Sequence, residues 1–190
     1  MKALPKRLLA AASFVERGSV IADVGCDHGL LPHYLIKSGI SDFAYLIDKN
    51  KGPLLRAGEN TERYGLSDKC ALVLSDGLKS LPEYIAGGDL KGGFPDAVII
   101  TGMGGPLILR ILDETPEVIR ENVRSWILSP QSLIEECREG IRTRGFSIFD
   151  EKMAEDKGKH YVILRCSEES SIDVFPERKG EQNEVPRHIM

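Results

Sequence analysis

Apolar positions along the chain fall into short β-rich runs separated by stretches with helical spacing. Leu4, Leu8, Ala11, Ala12 and Val15 recur on one helix face, which predicts an amphipathic first helix. Residues 19–25 (SVIADVG) then read as a strand and 30–38 as a helix. Residues 43–48 (FAYLID) form a second strand, followed by a helix over 54–64 that Gly65 ends. A third strand at 70–75 (CALVLS) precedes a short helix near 78–85, and a fourth at 97–101 (AVIIT) precedes a helix over 106–112. A fifth strand at 125–128 (SWIL) leads into a helix over 132–144, stopped by Gly145. Two last runs, 146–152 and 160–166, flank the polar AEDKGK turn and predict an antiparallel pair.

Strands separated by helices imply βαβ crossovers and a parallel sheet covered on both faces. The near-continuous apolar runs VIADV and AVIIT suit strands buried on both sides. With the terminal hairpin, the pattern predicts an α/β, Rossmann-like class I methyltransferase fold. Its sheet would be seven-stranded and mostly parallel, with helices on both faces and an antiparallel C-terminal hairpin. The expected domain spans 1–166, with a glycine-rich mobile connection at 87–93 and a polar, disordered acidic tail over 167–190.

Composition narrows the picture. A chain of 190 residues with 42% hydrophobic positions makes one domain with one sizeable core, which excludes wholesale disorder. No apolar run approaches the ~20 residues of a membrane-spanning helix. The net charge of −4 argues against a generally basic nucleic-acid binder. Its distribution still permits a nucleic-acid partner, because the tail from Ser167 holds six acids against three bases, while the first twenty residues hold four bases against one acid. Cys26, Cys70, Cys137 and Cys166 lie too far apart for a CxxC site, so neither zinc nor a disulfide framework is expected, nor any other metal. The first residues imitate a secretory signal, but Glu16 and Arg17 follow at once and lead into a strand that the fold needs. The expectation is a helix in a cytoplasmic protein with reduced thiols.

The most informative stretch is Asp23-Val24-Gly25-Cys26-Asp27-His28-Gly29, joining the first strand to its helix. Open α/β sheets bind ligands outside the carboxyl ends of their strands, where strand order reverses. A dinucleotide fingerprint would read GxGxxG and offer bare amides to a pyrophosphate. Here the loop reads DxGxDxG, so Asp23 and Asp27 stand where phosphates would sit. Two carboxylates repel a diphosphate and suit the ammonium and sulfonium of S-adenosylmethionine. The plain alternative is a strand–helix turn in another kind of Rossmann protein. Asp48 ends the second strand 23 residues beyond Gly25, as a carboxylate taking both ribose hydroxyls or as a simple turn residue. Asp76-Gly77 ends the third, either accepting from an adenine amine or forming a turn or cap. Cys26, Lys49 and Gly102 complete the expected cofactor-binding set.

The fourth strand ends in Thr101-Gly102-Met103-Gly104-Gly105-Pro106, whose glycines leave space for a planar ligand against bare backbone. The Asn/Asp-Pro-Pro-Tyr/Phe motif common in amino-methyltransferases is absent. Met103 either packs against a base or fills a core gap, and Gly104 and Gly105 are read with it as the substrate side. Asp27 and His28 form the candidate catalytic pair, with a loop-ordering role as the alternative for His28. His33 reads as structural. Arg138, Arg142 and Arg144 crowd one helix and its end, as a solvated face or a phosphate contact.

These residues together resemble the TrmK family of bacterial tRNA (adenine-N1)-methyltransferases. Asp23-Val24-Gly25-Cys26-Asp27-His28 with Leu31-Pro32 is similar to the family's D-[IV]-G-x-D-H-x-x-L-P signature. Gly52-Pro53, Tyr64-Gly65-Leu66, Asp76-Gly77-Leu78 and Gly102-Met103-Gly104-Gly105 resemble further blocks. The resemblance implies a domain that binds S-adenosylmethionine, releases S-adenosylhomocysteine and takes tRNA as partner. Asp23, Gly25, Asp27, Asp48, Asp76 and Gly77 would surround the cofactor, and His28 with the 102–105 loop would face the target base. The chain departs from the family at Gly29-Leu30, where many members carry a tyrosine, and at Leu128-Ser129-Pro130-Gln131, where Leu-Gln-Pro is expected. The family's C-terminal coiled coil is expected to be absent, since a short acidic tail follows Cys166. A small-molecule or protein acceptor, or a non-catalytic cofactor- or RNA-binding module, remains the alternative.

Overall fold

A computed structural model describes residues 3–88 and 92–168. In chain order the elements are α1 (Lys6–Ala12), β1 (Ser19–Val24), α2 (Leu30–Lys37), β2 (Ser41–Asp48), α3 (Lys51–Arg63), β3 (Cys70–Leu74) and α4 (Leu81–Ala86). They continue with β4 (Ala97–Met103), α5 (Gly105–Asp113), α6 (Glu117–Arg120), β5 (Ser125–Pro130), α7 (Ile134–Arg142), β6 (Phe146–Asp156) and β7 (Lys159–Glu168). The seven strands form one sheet in the order β3-β2-β1-β4-β5-β7-β6. Pairings among β1 to β5 are parallel, and β7 runs antiparallel to both β5 and β6.

Side-chain alternation explains why both faces need helices. In β1, Ile21 points into one apolar layer with Ala44, Leu46, Ile99 and Ile127, against buried residues of α1, α2 and α3. Its neighbours Ala22 and Val24 point the other way, into a layer with Tyr45, Ile47, Val98, Ile100, Trp126 and buried residues of α5 and α7. Each large aliphatic side chain removed from water in these layers stabilises the fold by roughly 1.5–3 kcal/mol. α3 shows the matching sequence logic, burying Leu54, Ala57, Gly58 and Thr61 at helical spacing.

Several boundaries differ from the sequence expectation. β4 continues past Thr101 to pair Met103 with Pro130 across a register irregularity, so the glycine segment begins inside the sheet. The helix expected over 132–144 starts at Ile134, because Leu133 adopts a left-handed conformation at its N-cap. α6 was not expected: it is a single turn with little periodic signal. β6 is an eleven-residue strand that outruns its predicted end at 152. The 87–93 connection falls partly, and the tail beyond 168 wholly, outside the described residues. The four cysteines are free thiols, and no helix among the described residues is long and apolar enough to cross a membrane.

Candidate active site

Strand order reverses between β1, with β2 on one side, and β4 on the other. The loops at the carboxyl ends of these strands therefore part and leave a crevice. Gly25 stands at its centre with φ +75°, anchored where its N–H and that of Cys26 donate to the Ile47 carbonyl at 2.8 and 3.0 Å. A Cβ here would be strained by backbone conformation and would stand 2.4 Å from Met103 Cε.

Two cavities meet at this glycine. The outer one, about 360 Å³, is walled by the apolar Leu8, Leu30 and Leu31, by the polar side chains of Arg7, Asp23, Cys26, Asp27, His28, Thr101 and Gln131, and by the backbone of Gly102. The inner one, about 130 Å³, lies between the ends of β2 and β3, against Asp48, Lys49, Asn50, Asp76, Gly77 and the apolar Met103, Leu107 and Ile111.

The carboxylates differ in their surroundings. Asp23 is buried at the end of β1, and burial, reinforced by the charge of Asp48, pushes its pKa from the ordinary 3.8 up to about 7. Asp48 is buried as well, and its Oδ1 accepts the Asn50 N–H at 2.8 Å, leaving further lone pairs for a diol. Asp76 is held by a bidentate fork, with Arg110 Nη1 and Nη2 donating to Oδ2 and Oδ1 at 3.0 Å each. Lys79 and Glu114 close this into a four-charge network, and the Arg110 guanidinium holds the Asp76 carboxyl below its usual range. Asp27 and His28 sit at the mouth, with side chains 69% and 44% exposed and His28 Nε2 3.6 Å from Asp27 Oδ1. Cys26 is buried beside Asp23, Asp48 and Asp27. Burial foremost, with those charges, drives its thiol pKa far upward, which removes it as a nucleophile.

The structure thus gathers Asp23, Gly25, Cys26, Asp27, Asp48, Lys49, Asp76, Gly77 and Gly102 around one crevice. Met103, Gly104 and Gly105 differ from expectation. Met103 reaches over Gly25 and lines the inner cavity, not the side of His28. Gly104 and Gly105 line neither cavity. Their bare Cα atoms let α5 approach the β5–α7 connection, where a Cβ would meet Ser132 Oγ at 2.8 Å or Cys137 Cβ at 2.9 Å. His33 is fully buried, with Nε2 2.7 Å from Thr61 Oγ1, and desolvation foremost lowers its pKa to about 4, so it is a neutral core residue. Arg138 pairs with Glu151 and Arg144 with Asp113, which satisfies two of the three expected helix-face cations. Arg7 and Gln131 were not expected at the site. Arg7 comes from α1, and the amphipathic pattern of a first helix says nothing about which strand ends it packs near.

An elongated ligand with a cation near Asp23 and Asp27 and a diol at Asp48 fits this lining. A diphosphate would have to lie against three carboxylates and does not. The methyltransferase domain family matches residues 4–164. The chain belongs to that family. Its relatives include the tRNA (adenine(22)-N(1))-methyltransferase of Bacillus subtilis, 32% identical over 161 residues, which are 85% of this chain and 63% of that protein. The chain therefore spans slightly less than two thirds of that relative's length. M. capricolum TrmK, solved with S-adenosylhomocysteine, is 26% identical with a TM-score of 0.75, over 87% of this chain and 69% of that one. The Streptococcus pneumoniae protein Sp1610, solved with S-adenosyl-L-methionine, is 34% identical with a TM-score of 0.76, over 87% and 73%. The TrmK resemblance carried by the sequence motifs is borne out by these relatives, as is the mostly parallel seven-stranded architecture.

Proposed function

We propose that the protein is an S-adenosylmethionine-dependent methyltransferase that acts on N1 of an adenosine in tRNA, at position 22 by likeness to the Bacillus subtilis relative. The observation that carries this reading is the acidic crevice divided by Gly25, with one cavity at Asp48 and another opening to solvent beside Asp27.

When bound, the cofactor supplies an electrophilic methyl group on a sulfonium, and transfer leaves S-adenosylhomocysteine. Asp48 would accept from the ribose hydroxyls, Asp76 and Gly77 would border the adenine, and Asp23 and Asp27 would face the cationic end. Lys49 and Gly102 line the two flanks. Adenine N1 carries an in-plane lone pair, so the chain needs no strong base to create the nucleophile. Its task is alignment, a contribution that reaches ~7–11 kcal/mol when donor and acceptor are held in line. Methylation at N1 would leave the adenine ring positively charged. Asp27 stands at the mouth, where that charge arrives, and His28 orders it from 3.6 Å. Leu8, Leu30 and Leu31 offer apolar walls to a planar base that has left its stack, a displacement of about a few kcal/mol.

The test is incubation with labelled S-adenosylmethionine and total tRNA, followed by nucleoside mapping. The reading predicts label in N1-methyladenosine from a single tRNA position, with an affinity that falls as salt rises. Label confined to protein or to small molecules would overturn it.

A further inference from the structure

We propose that the side-chain amide of Gln131 selects adenine at the acceptor position, accepting a hydrogen bond from the exocyclic N6 and donating one to N7. The proposal rests on the adenine-N1 reading above and names the group that reads the base.

Gln131 follows β5, at the edge of the outer cavity. Its backbone is fixed: its N–H donates to the Met103 carbonyl at 2.9 Å, and the next residue's carbonyl, Ser132 O, accepts the Gly105 N–H at 3.0 Å. These bonds lock the β5–α7 connection onto the segment that carries Gly102. The amide itself lies beside the bare face of that glycine, with Nε2 3.7 Å from where a Gly102 Cβ would stand. Among the described residues it has no hydrogen-bond partner, so an anchored backbone presents an uncommitted amide.

Chemistry explains why an amide matters here. If N1 is the reacting atom it must face the methyl donor, so the Watson–Crick edge is not available for recognition. The edge left is N6 and N7, a donor beside an acceptor, which a carboxamide matches with two bonds at once. No other polar side chain of the cavity sets a donor and an acceptor side by side: the Thr101 hydroxyl does both from one atom, and the two ring nitrogens of His28 point apart. Asp23 and Asp27 accept when ionised, and Arg7 only donates and is already 3.6 Å from Asp156 and over the Tyr161 ring. Guanine presents O6 and N7, two acceptors, so the same amide would form one bond and suffer one repulsion.

The experiment uses the full chain and tRNA transcripts bearing either adenosine or 7-deazaadenosine at the methylated position, with kcat/KM and cofactor affinity measured for wild type, Gln131→Ala and Gln131→Glu. Wild type should lose about 10- to 100-fold on the 7-deaza transcript. Gln131→Ala, which removes both bonds, should lose at least that factor on adenosine, with no further loss on the analogue. Gln131→Glu, which accepts but cannot donate, should prefer the 7-deaza transcript. Calorimetric affinity for S-adenosylmethionine should be the same in wild type and Gln131→Ala and no weaker in Gln131→Glu, which adds a carboxylate to the cavity of Asp23 and Asp27, and the exposed position leaves the fold intact. If Gln131→Ala keeps the wild-type ratio between the transcripts, Gln131 does not read the base. If wild type methylates no adenosine in tRNA at all, the parent reading falls and the proposal with it.

Discussion

On the inner side of Gly25 the polar groups are committed before any ligand arrives. Asp48 is buried and takes a backbone N–H, and Asp76 is forked by Arg110 within a four-charge network. On the outer side, Asp27 exposes 69% of its side chain, against 43% for Asp76 on the inner side, and the Gln131 amide has no partner among the described residues. The outer cavity is also nearly three times larger, about 360 against 130 Å³. The contrast separates two tasks. On the proposed reading, a small cofactor would meet groups already fixed by the fold, whereas a base presented by a large partner would be met at the more exposed mouth.

The largest effect should come from joining the two sides too tightly. Gly25→Ala places a Cβ 2.4 Å from Met103 Cε at a left-handed backbone position, and should lower S-adenosylmethionine affinity by at least ~100-fold in calorimetry. Near-native affinity would show that the ligand does not cross Gly25. Next, Asp48→Asn removes a buried charge from the inner side and should weaken the same affinity by about 10- to 100-fold while leaving the fold intact. An unchanged titration would take Asp48 out of the site.

Asp23 sharpens the comparison through pH. Its pKa is raised from 3.8 to about 7, so the folded chain holds this proton more tightly than the unfolded chain does. Its contribution to stability is therefore fully present below pH 3.8 and is lost as pH rises through about 7. A cationic ligand favours the ionised form, so binding near neutral pH should release a fraction of a proton, read from calorimetry in buffers of different ionisation enthalpy. Asp23→Asn should abolish that release and flatten the dependence of melting temperature on pH; persistence of either would place the titration elsewhere.

The smallest effect belongs outside both cavities, at the start of α7, where Leu133 is exposed with φ +50°. Leu133→Gly relieves a left-handed side chain at the N-cap of α7 and should raise stability by roughly 0.5–1 kcal/mol in chemical denaturation, with cofactor affinity unchanged. Lower stability would mean that its packing outweighs the strain.

How much of this was legible depended on where the information lies. Asp23, Asp48 and Asp76 could be read because each closes a short apolar run, and the ends of successive parallel strands share one edge of the sheet. Gly25 was legible for the same reason. Met103, Gly104 and Gly105 were read as one block, yet their roles divide. β4 continues through Met103 and sends its side chain over Gly25, while Gly104 and Gly105 meet the β5–α7 connection. Only the register with β5 decides that division, and register is a pairing property absent from local spacing. Arg7 reaches the site from α1, and Gln131 from the carboxyl end of β5, beside β4. The clue for Gln131 was already in the chain, as an amide directly after Pro130 at a strand's carboxyl end, but its meaning needed the cavity.

The central claim is that this crevice takes a cationic adenosyl ligand across Gly25 and refuses a diphosphate. Calorimetric titration of the protein with S-adenosylmethionine and, separately, with NAD tests it directly. The account predicts saturable one-to-one binding of S-adenosylmethionine and no measurable heat from NAD. Tight binding of NAD with none of S-adenosylmethionine would contradict it.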